Sequence, residues 1–436
     1  MSEQDAFLKE ILANPADREV RLVFADWLEE QGDPRGELIR LQIQLEEMKS
    51  SDRGYGTVRK KERALFKEHS LFGRLPNRVS DWEFRAGFIE KIELTLTAFL
   101  KQAPEIFEHN PVQHAVLKAK SAKIEKIAQV PELSKLRSLE LRSNHLGNAG
   151  LRTLLESPHL TNLESLTVYS NDITNEGVAQ LSRNPNLSGL TELKIAWNHI
   201  DDAATEQLVD SPVFGKFTSL RLDGNFTDHT LSLLSGTERF RSLRSLTLQN
   251  FFGYEDEDVD LADGYALEAR SMASFSEAGL RDFGTSVSDM PLEELGFRRN
   301  LQPGFARALA DSPRLASVRT LNLGWCDMQD DDVVLIARHL RDVEELHLEG
   351  NHITNRGANA LSESPLLGKL KKLYLTGNGI GAEGVDALLD SPHRTKKTKF
   401  YLRSNRLSQT EIKSIKERAG KSFGNFGKPD PWGRYR

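Results

Sequence analysis

The chain has 436 residues, a formal net charge of −6 and a single cysteine. Mild acidity argues against general affinity for nucleic acid or anionic membrane, and one cysteine excludes an intrachain disulfide framework and suits a reducing compartment. The opening Met-Ser-Glu-Gln-Asp lacks the basic and apolar segments of a signal peptide, and no apolar run reaches the length of a membrane span; a cytoplasmic chain is expected.

Three short helices come first. Phe7, Leu8, Ile11 and Leu12 share one helical face that ends at Asn14-Pro15. A second helix carries Leu22, Val23, Ala25, Trp27 and Leu28, with Gly32 as the residue just past its end. Asp33-Pro34 starts a third, which buries Leu38, Ile39, Leu41 and Leu45. Residues 50–57 read as a flexible connector, and Val58 to Leu75 as a basic, solvated amphipathic helix near the N-terminal cap of a repeat array.

In that array the phrase Leu-x-x-Leu-x-Leu-x-x-Asn recurs about every 27 residues, first complete as Leu136-Arg-Ser-Leu139-Glu-Leu141-Arg-Ser-Asn144. The closing asparagines are Asn144, Asn171, Asn198, Asn225, Asn300, Asn351, Asn378 and Asn405. Each phrase gives a short strand whose apolar residues can be buried only by stacking on neighbouring repeats. The asparagine amide is placed to bond the open backbone groups of adjacent turns, forming a ladder. A helical stretch follows each strand, and Ser-Pro pairs at 157/158, 211/212, 312/313, 364/365 and 391/392 end the helices. Cys326 stands at one asparagine position. Between Asn250 and Pro291 the period fails: an acidic stretch, Phe251 to Asp260, precedes Ser276 to Phe283, which recovers the helical half of a repeat.

A strand and a full helix per repeat resemble the ribonuclease-inhibitor-like class of leucine-rich repeat. The resemblance implies an α/β solenoid, a horseshoe with its parallel sheet concave and its helices convex. Asp17-Arg-Glu-Val-Arg21-Leu-Val-Phe24-Ala25-Asp26-Trp27-Leu28, continuing through Gly32-Asp33-Pro34-Arg35-Gly36-Glu37-Leu38-Ile-Arg40, resembles the repeat-companion domain of planctomycetes and myxobacteria. That family precedes repeat arrays and has no established activity to transfer; Trp82-Glu-Phe84-Arg-Ala-Gly87-Phe88 looks like its junction into the repeats. The resulting division is a helical domain at 1–49, a connector and capping helix at 50–83, a solenoid at 84–421 with an insertion near 251–275, and a tail at 422–436. Asp26, Arg35, Glu37 and Arg40 fit local ion pairing and capping between short helices better than a docking patch.

No catalytic, cofactor or metal site emerges. Gly420-Lys421-Ser422 lacks the upstream glycine of a phosphate loop, Ile415 standing there, and Gly420-x-Ser422-x-Gly424 follows a helix where a nucleophile elbow follows a strand. Asp256, Asp258 and Asp260 alternate like a calcium loop, but Leu261 and Leu267 occupy its glycine and closing-acid positions. The histidines have no ligand spacing; His145, His199 and His352 fall on equivalent turns. No small-molecule substrate is implied.

What remains is a surface. Residues between the strand leucines face the concave side, and Arg142, Tyr169, Trp197, Arg221, Arg298, Arg299, Trp325, His347, Tyr374, Tyr401 and Arg403 supply the types that dominate protein–protein hot spots. Trp197 and Trp325 occupy a slot that most other repeats fill with Ser or Gly. The expected function is a non-enzymatic scaffold that binds another protein through this face. The alternative is nucleic-acid binding through the basic C-terminal repeats, where Arg394, Lys396, Lys397, Lys399 and Arg403 lie near Tyr401; the net acidity disfavours it.

Overall fold

The computed structural model describes residues 2–49, 52–69, 79–118, 124–250, 274–286, 290–299, 301–302, 304–312 and 316–420. The end of the basic helix expected at Val58 to Leu75, Asn300, Pro313, the acidic stretch 251–273 and the tail from Lys421 lie outside them. The chain divides into two compact units, residues 1–172 with 184–189 and residues 173–183 with 190–436.

The first unit holds strands β1 (Asp81–Arg85), β2 (Phe88–Thr95), β3 (His114–Lys118), β4 (Ser138–Arg142) and β5 (Ser165–Tyr169). Its helices are α1 (Glu3–Ala13), α2 (Arg18–Glu30), α3 (Arg35–Glu47), α4 (Tyr55–His69), α5 (Leu96–His109), α6 (Ile124–Ile127) and α7 (Gly147–Leu155). β2 to β5 pair in parallel and in chain order, as repeats require. β1 does not: it pairs antiparallel with β2, so the phrase from Trp82 to Phe88 is a hairpin. Its turn places Ala86 at φ 43° and Gly87 at φ 86°, the two left-handed residues of a tight hairpin. Glycine is required at 87 for a second reason, since a β-carbon there would come within 2.3 Å of Ile39 on α3.

The three N-terminal helices share one core with that hairpin. Ile11, Phe24, Ala25, Leu28, Ile39 and Ile43 bury against Ala86 and Phe88. Val23, one of the apolar residues of the second helix, is 54% exposed, because Phe24 and Ala25 take the inner face. Leu45 is only half-buried and Ile43 is buried instead. Arg40 pairs with Asp26 and Glu29, and Lys61 with Glu37, so these polar residues link neighbouring helices. Arg21, 2% exposed, is the keystone of the contact. Its guanidinium donates to the carbonyls of Pro15, Arg85 and Ala86 and meets Glu90 at 2.6 Å. Burial pushes the Glu90 carboxyl up, against the pull of Arg21.

The second unit holds β6 (Glu192–Ala196), β7 (Ser219–Gly224), β8 (Ser245–Asn250), β9 (Glu294–Arg298), β10 (Thr320–Asn322), β11 (Glu345–His347), β12 (Lys372–Tyr374) and β13 (Lys399–Tyr401). All pair in parallel with their chain neighbours, and a helix lies between most successive strands. β8 pairs directly with β9, so the break after Asn250 lies within one repeat. The protein is an α/β leucine-rich-repeat solenoid.

Ladders tie the repeats together. Asn351 donates to the Leu323 carbonyl one repeat earlier and accepts the N–H groups of Cys326 and Met328. Asn171, Asn378 and Asn405 donate backward in the same way, to Leu141, Leu348 and Leu375, and Asn144 to Leu117. Asn198 accepts from Ile173 N–H. The Cys326 thiol donates to the Phe297 carbonyl, the place an asparagine amide would serve. Asn225 departs from this pattern. It is exposed, and the amide oxygen that takes the Phe226 N–H belongs to Asn250. β7 runs straight through Gly224 without the left-handed turn of other repeats, which carries Asn225 outward.

A second ladder runs through the Ser-Pro serines. Ser157, Ser211, Ser364 and Ser391 donate to the carbonyls of Ala128, Ser182, Ala337 and Ser362, one repeat back. A third caps helices across repeats: Asp202 binds the N–H and hydroxyl of Thr227, Asp330 those of Thr354, and Asp228 those of Ser276 across the insertion.

Asn351→Ala strands two buried N–H groups and a carbonyl, and should cost about 3 kcal/mol or more in denaturant unfolding. Asn225→Ala should stay within about 0.5 kcal/mol of wild type; equal costs would refute the ladder assignment. Arg21→Met leaves the half-buried Glu90 with only Arg85, at 3.9 Å, as a cation and strands three carbonyls, and should cost about 3 kcal/mol at neutral pH. Glu90 then has a folded pKa further above its unfolded value. Its protonated form favours the fold, so the deficit should shrink as pH falls towards about 4.3; a deficit constant with pH would exclude this account.

Candidate binding surface

Every second strand residue points away from the helices, and the register aligns these residues in rows. In the first unit Thr95, Lys118, Arg142 and Tyr169 form one row and Glu93, Val116, Glu140 and Thr167 the next. Lys118 and Arg142 both pair with Glu93, and Arg142 also with Glu140. This face is an internally neutralised ion lattice, with Arg142 committed within it.

The second unit is different. One row reads Lys194, Arg221, Thr247, Gly296, Asn322, His347, Tyr374 and Tyr401. The next begins Asp223, Gln249 and Arg298, and continues through Gly324, Glu349, Thr376 and Arg403, where ladder bonds persist past the strand ends. Arg221 makes two 3.0 Å bonds to Asp223 and reaches Gln249 at 3.3 Å. His347, Tyr374 and Tyr401 stack, with ring centroids 4.0 and 4.3 Å apart. His347 Nδ1 lies 3.2 Å from Glu349 Oε1. Burial lowers the Arg298 pKa, while the Glu349 charge opposes that shift.

Two glycines interrupt the rows at Gly296 and Gly324, where Thr247 and Asn322, and Glu349, Arg298 and Asn322, close over the missing side chains at 3.2–3.4 Å. Beside them stands Trp325, 46% exposed. Its ring lies against Gly350, where any β-carbon would approach it to 2.3 Å, and the Arg299 guanidinium sits 5.1 Å from its centroid. Trp197, Arg299 and Trp325 have φ of 55°, 53° and 62°. The slot that holds Ser143, Ser170, Ser404, Gly350 and Gly377 elsewhere is therefore a left-handed turn. A bulky residue is held there at a conformational cost, and such strain collects at functional positions.

The expected surface residues thus fall into distinct groups. Trp325 and Arg403 are exposed; Tyr169, Trp197, Arg298, Arg299 and Tyr401 are half-buried. His347 and Tyr374 are 7% and 3% exposed, so they present edges and serve mainly as the stack. Arg221 is bound to Asp223 and is a support for its neighbours. Asn322 and Glu349 are outward positions that the strand pattern also gives; the paired glycines were missed, although a glycine at an outward strand position is a visible signal. Among the described residues no three His, Cys, Asp or Glu side chains gather as a metal site, and no helix is long and apolar enough to cross a membrane.

One family model matches the repeats. Residues 132–155, 159–182, 314–337, 339–362 and 369–389 match the family model described as leucine rich repeat. No curated protein matches the sequence. Among solved structures, a chain of the mouse RP105/MD-1 complex is 17% identical over 79% of this chain and 52% of its own, with a TM-score of 0.37. This chain thus spans about half the length of that one. An internalin from Listeria monocytogenes is 21% identical, over 65% of this chain and 86% of its own, with a TM-score of 0.31.

Gly350→Ala should displace the Trp325 ring and strain a left-handed residue, at about 1–2 kcal/mol. The Trp325 indole resonance should move while the other tryptophans keep theirs; an unmoved resonance would refute the packing.

Proposed function

We propose that this chain is a non-enzymatic scaffold whose protein partner docks on the outward sheet face of the second unit, around β9–β13. Leucine-rich-repeat domains generally mediate contacts between proteins, and this chain's repeats offer a suitable place. The carrying observation is Trp325: a large apolar side chain, left 46% exposed, in a left-handed slot where small residues suffice. Gly350 beneath it and Arg299 over it hold the ring as a preformed anchor. Aromatic and arginine anchors of this kind concentrate binding energy because little side-chain entropy is lost on docking.

Arg299 at the anchor, and Arg298, Tyr401 and Arg403 along the same face, are the contact residues in this reading, with His347 and Tyr374 as the rigid platform. The N-terminal helices share a core with the hairpin that opens the sheet. Nucleic acid fits less well, because both faces of the Tyr374 ring are covered, by His347 and Tyr401, which leaves no slot for a base between them.

Affinity capture from native lysate with wild type and Trp325→Ala is the test. Trp325→Ala should weaken capture of a defined partner at least about tenfold while the melting temperature stays nearly unchanged. Undiminished capture would remove the sheet face from the reading.

A further inference from the structure

Charge is sorted across the outward face of the second unit. The strand starts carry Glu192, Glu294 and Glu345, the last paired with Lys372 at 2.8 Å. Further along the strands stand five cations, Lys194, Arg221, Arg298, Arg299 and Arg403, against two carboxylates, Asp223 and Glu349. Both carboxylates are turned under: Asp223 is 0% and Glu349 4% exposed, and Arg221 holds Asp223 with two 3.0 Å bonds. The other cations reach the surface. Arg403 is exposed, and Lys194, Arg298 and Arg299 are half-buried. Among the described residues no carboxylate lies within ion-pair distance of Lys194, Arg298 or Arg403. In a chain of net charge −6, the border that carries Trp325 and Arg299 is therefore positive.

Sign and spacing select the occupant. β6 to β9 is three strand spacings and β9 to β13 four, about 14 and 19 Å. An extended polypeptide of about ten residues covers that run. Carboxylates about four and then six residues apart would meet Lys194, the Arg298–Arg299 pair and Arg403, and an apolar side chain between the last two would rest on Trp325. A basic segment would meet like charge. A nucleic acid carries a charge at every nucleotide and would set some of them over Glu192, Glu294 and Glu345. We propose that the protein partner lays an acidic, extended segment across β6 to β13, its carboxylates on Lys194, Arg298, Arg299 and Arg403 and an apolar side chain on Trp325. This rests on the scaffold reading and names the chemical class of its partner.

The full chain is titrated with three fluorescein-labelled probes, the peptides (Glu-Glu-Leu)4 and (Lys-Lys-Leu)4 and a twelve-nucleotide oligothymidylate, followed by anisotropy. The acidic peptide should bind saturably and the other two at least about tenfold more weakly. Lys194→Glu/Arg403→Glu should weaken the acidic peptide at least about tenfold. Arg152→Glu/Lys413→Glu makes the same change of net charge at exposed helix positions and should leave its affinity unchanged. No binding of the acidic peptide, equal or tighter binding of either other probe, or equal losses in the two double variants would overturn the proposal. Partner capture separates the two readings. If Trp325→Ala loses the partner and Lys194→Glu/Arg403→Glu keeps it, the acidic segment fails and the scaffold stands. If the peptide titration succeeds and Trp325→Ala keeps every captured protein, the anionic site stands and the scaffold reading falls.

Discussion

A strand that turns sharply out of a parallel sheet leaves backbone N–H and carbonyl groups facing the interior, where water cannot reach them. Everything else in the repeats depends on pairing those groups. Asparagine is suited because one short side chain carries two donors and an acceptor, enough to bond the preceding repeat's turn and its own strand. Asn351 does this with Leu323, Cys326 and Met328, and Cys326 shows the minimum: a single thiol donor to Phe297, with its own N–H accepted by the next repeat's asparagine. Once the turns are paired, the leucines stack without choice, and the serine and aspartate ladders do the same for the helix ends.

That chemistry explains how much could be read from the letters. Period, strand positions and the helical half-repeat after the insertion were legible, because each repeat states its own pattern and needs only its neighbour. Asn225 was not: its phrase is intact, yet β7 continues past the usual turn and Asn250, one residue short of the consensus spacing, takes the buried place. The letter pattern cannot distinguish a left-handed turn from an extended one when both carry glycine at the decisive position. Val23 is exposed for a related reason, since adjacent apolar residues on a short helix cannot all face one core.

The candidate surface was half legible. Outward positions follow from the strand pattern, and the unusual tryptophans stood out by comparison with sibling repeats. What their slot demands, a left-handed backbone, came only with the structure, as did the role of glycine on the face. Tyr374 and His347 also changed meaning: residue type suggested contact, and stacking at 4.0–4.3 Å shows a platform. Side chains along a parallel sheet are in register, so like rings on neighbouring strands meet each other before they meet a partner.

The hairpin at the start of the sheet has a bearing on solubility. A stack of parallel strands offers, at its first member, an unpaired edge with the same repeat geometry as every interior junction, and another copy's terminal strand could extend it. β1 occupies that edge in the opposite direction, with a register irregularity between Glu83 and Phe84. Its outward-exposed residues are Asp81, Glu83 and Arg85, so the new border carries alternating charge on a short, irregular strand. Growth of the array by end-to-end addition therefore meets the wrong polarity, the wrong spacing and a charged rim, which are devices by which natural sheets stay finite.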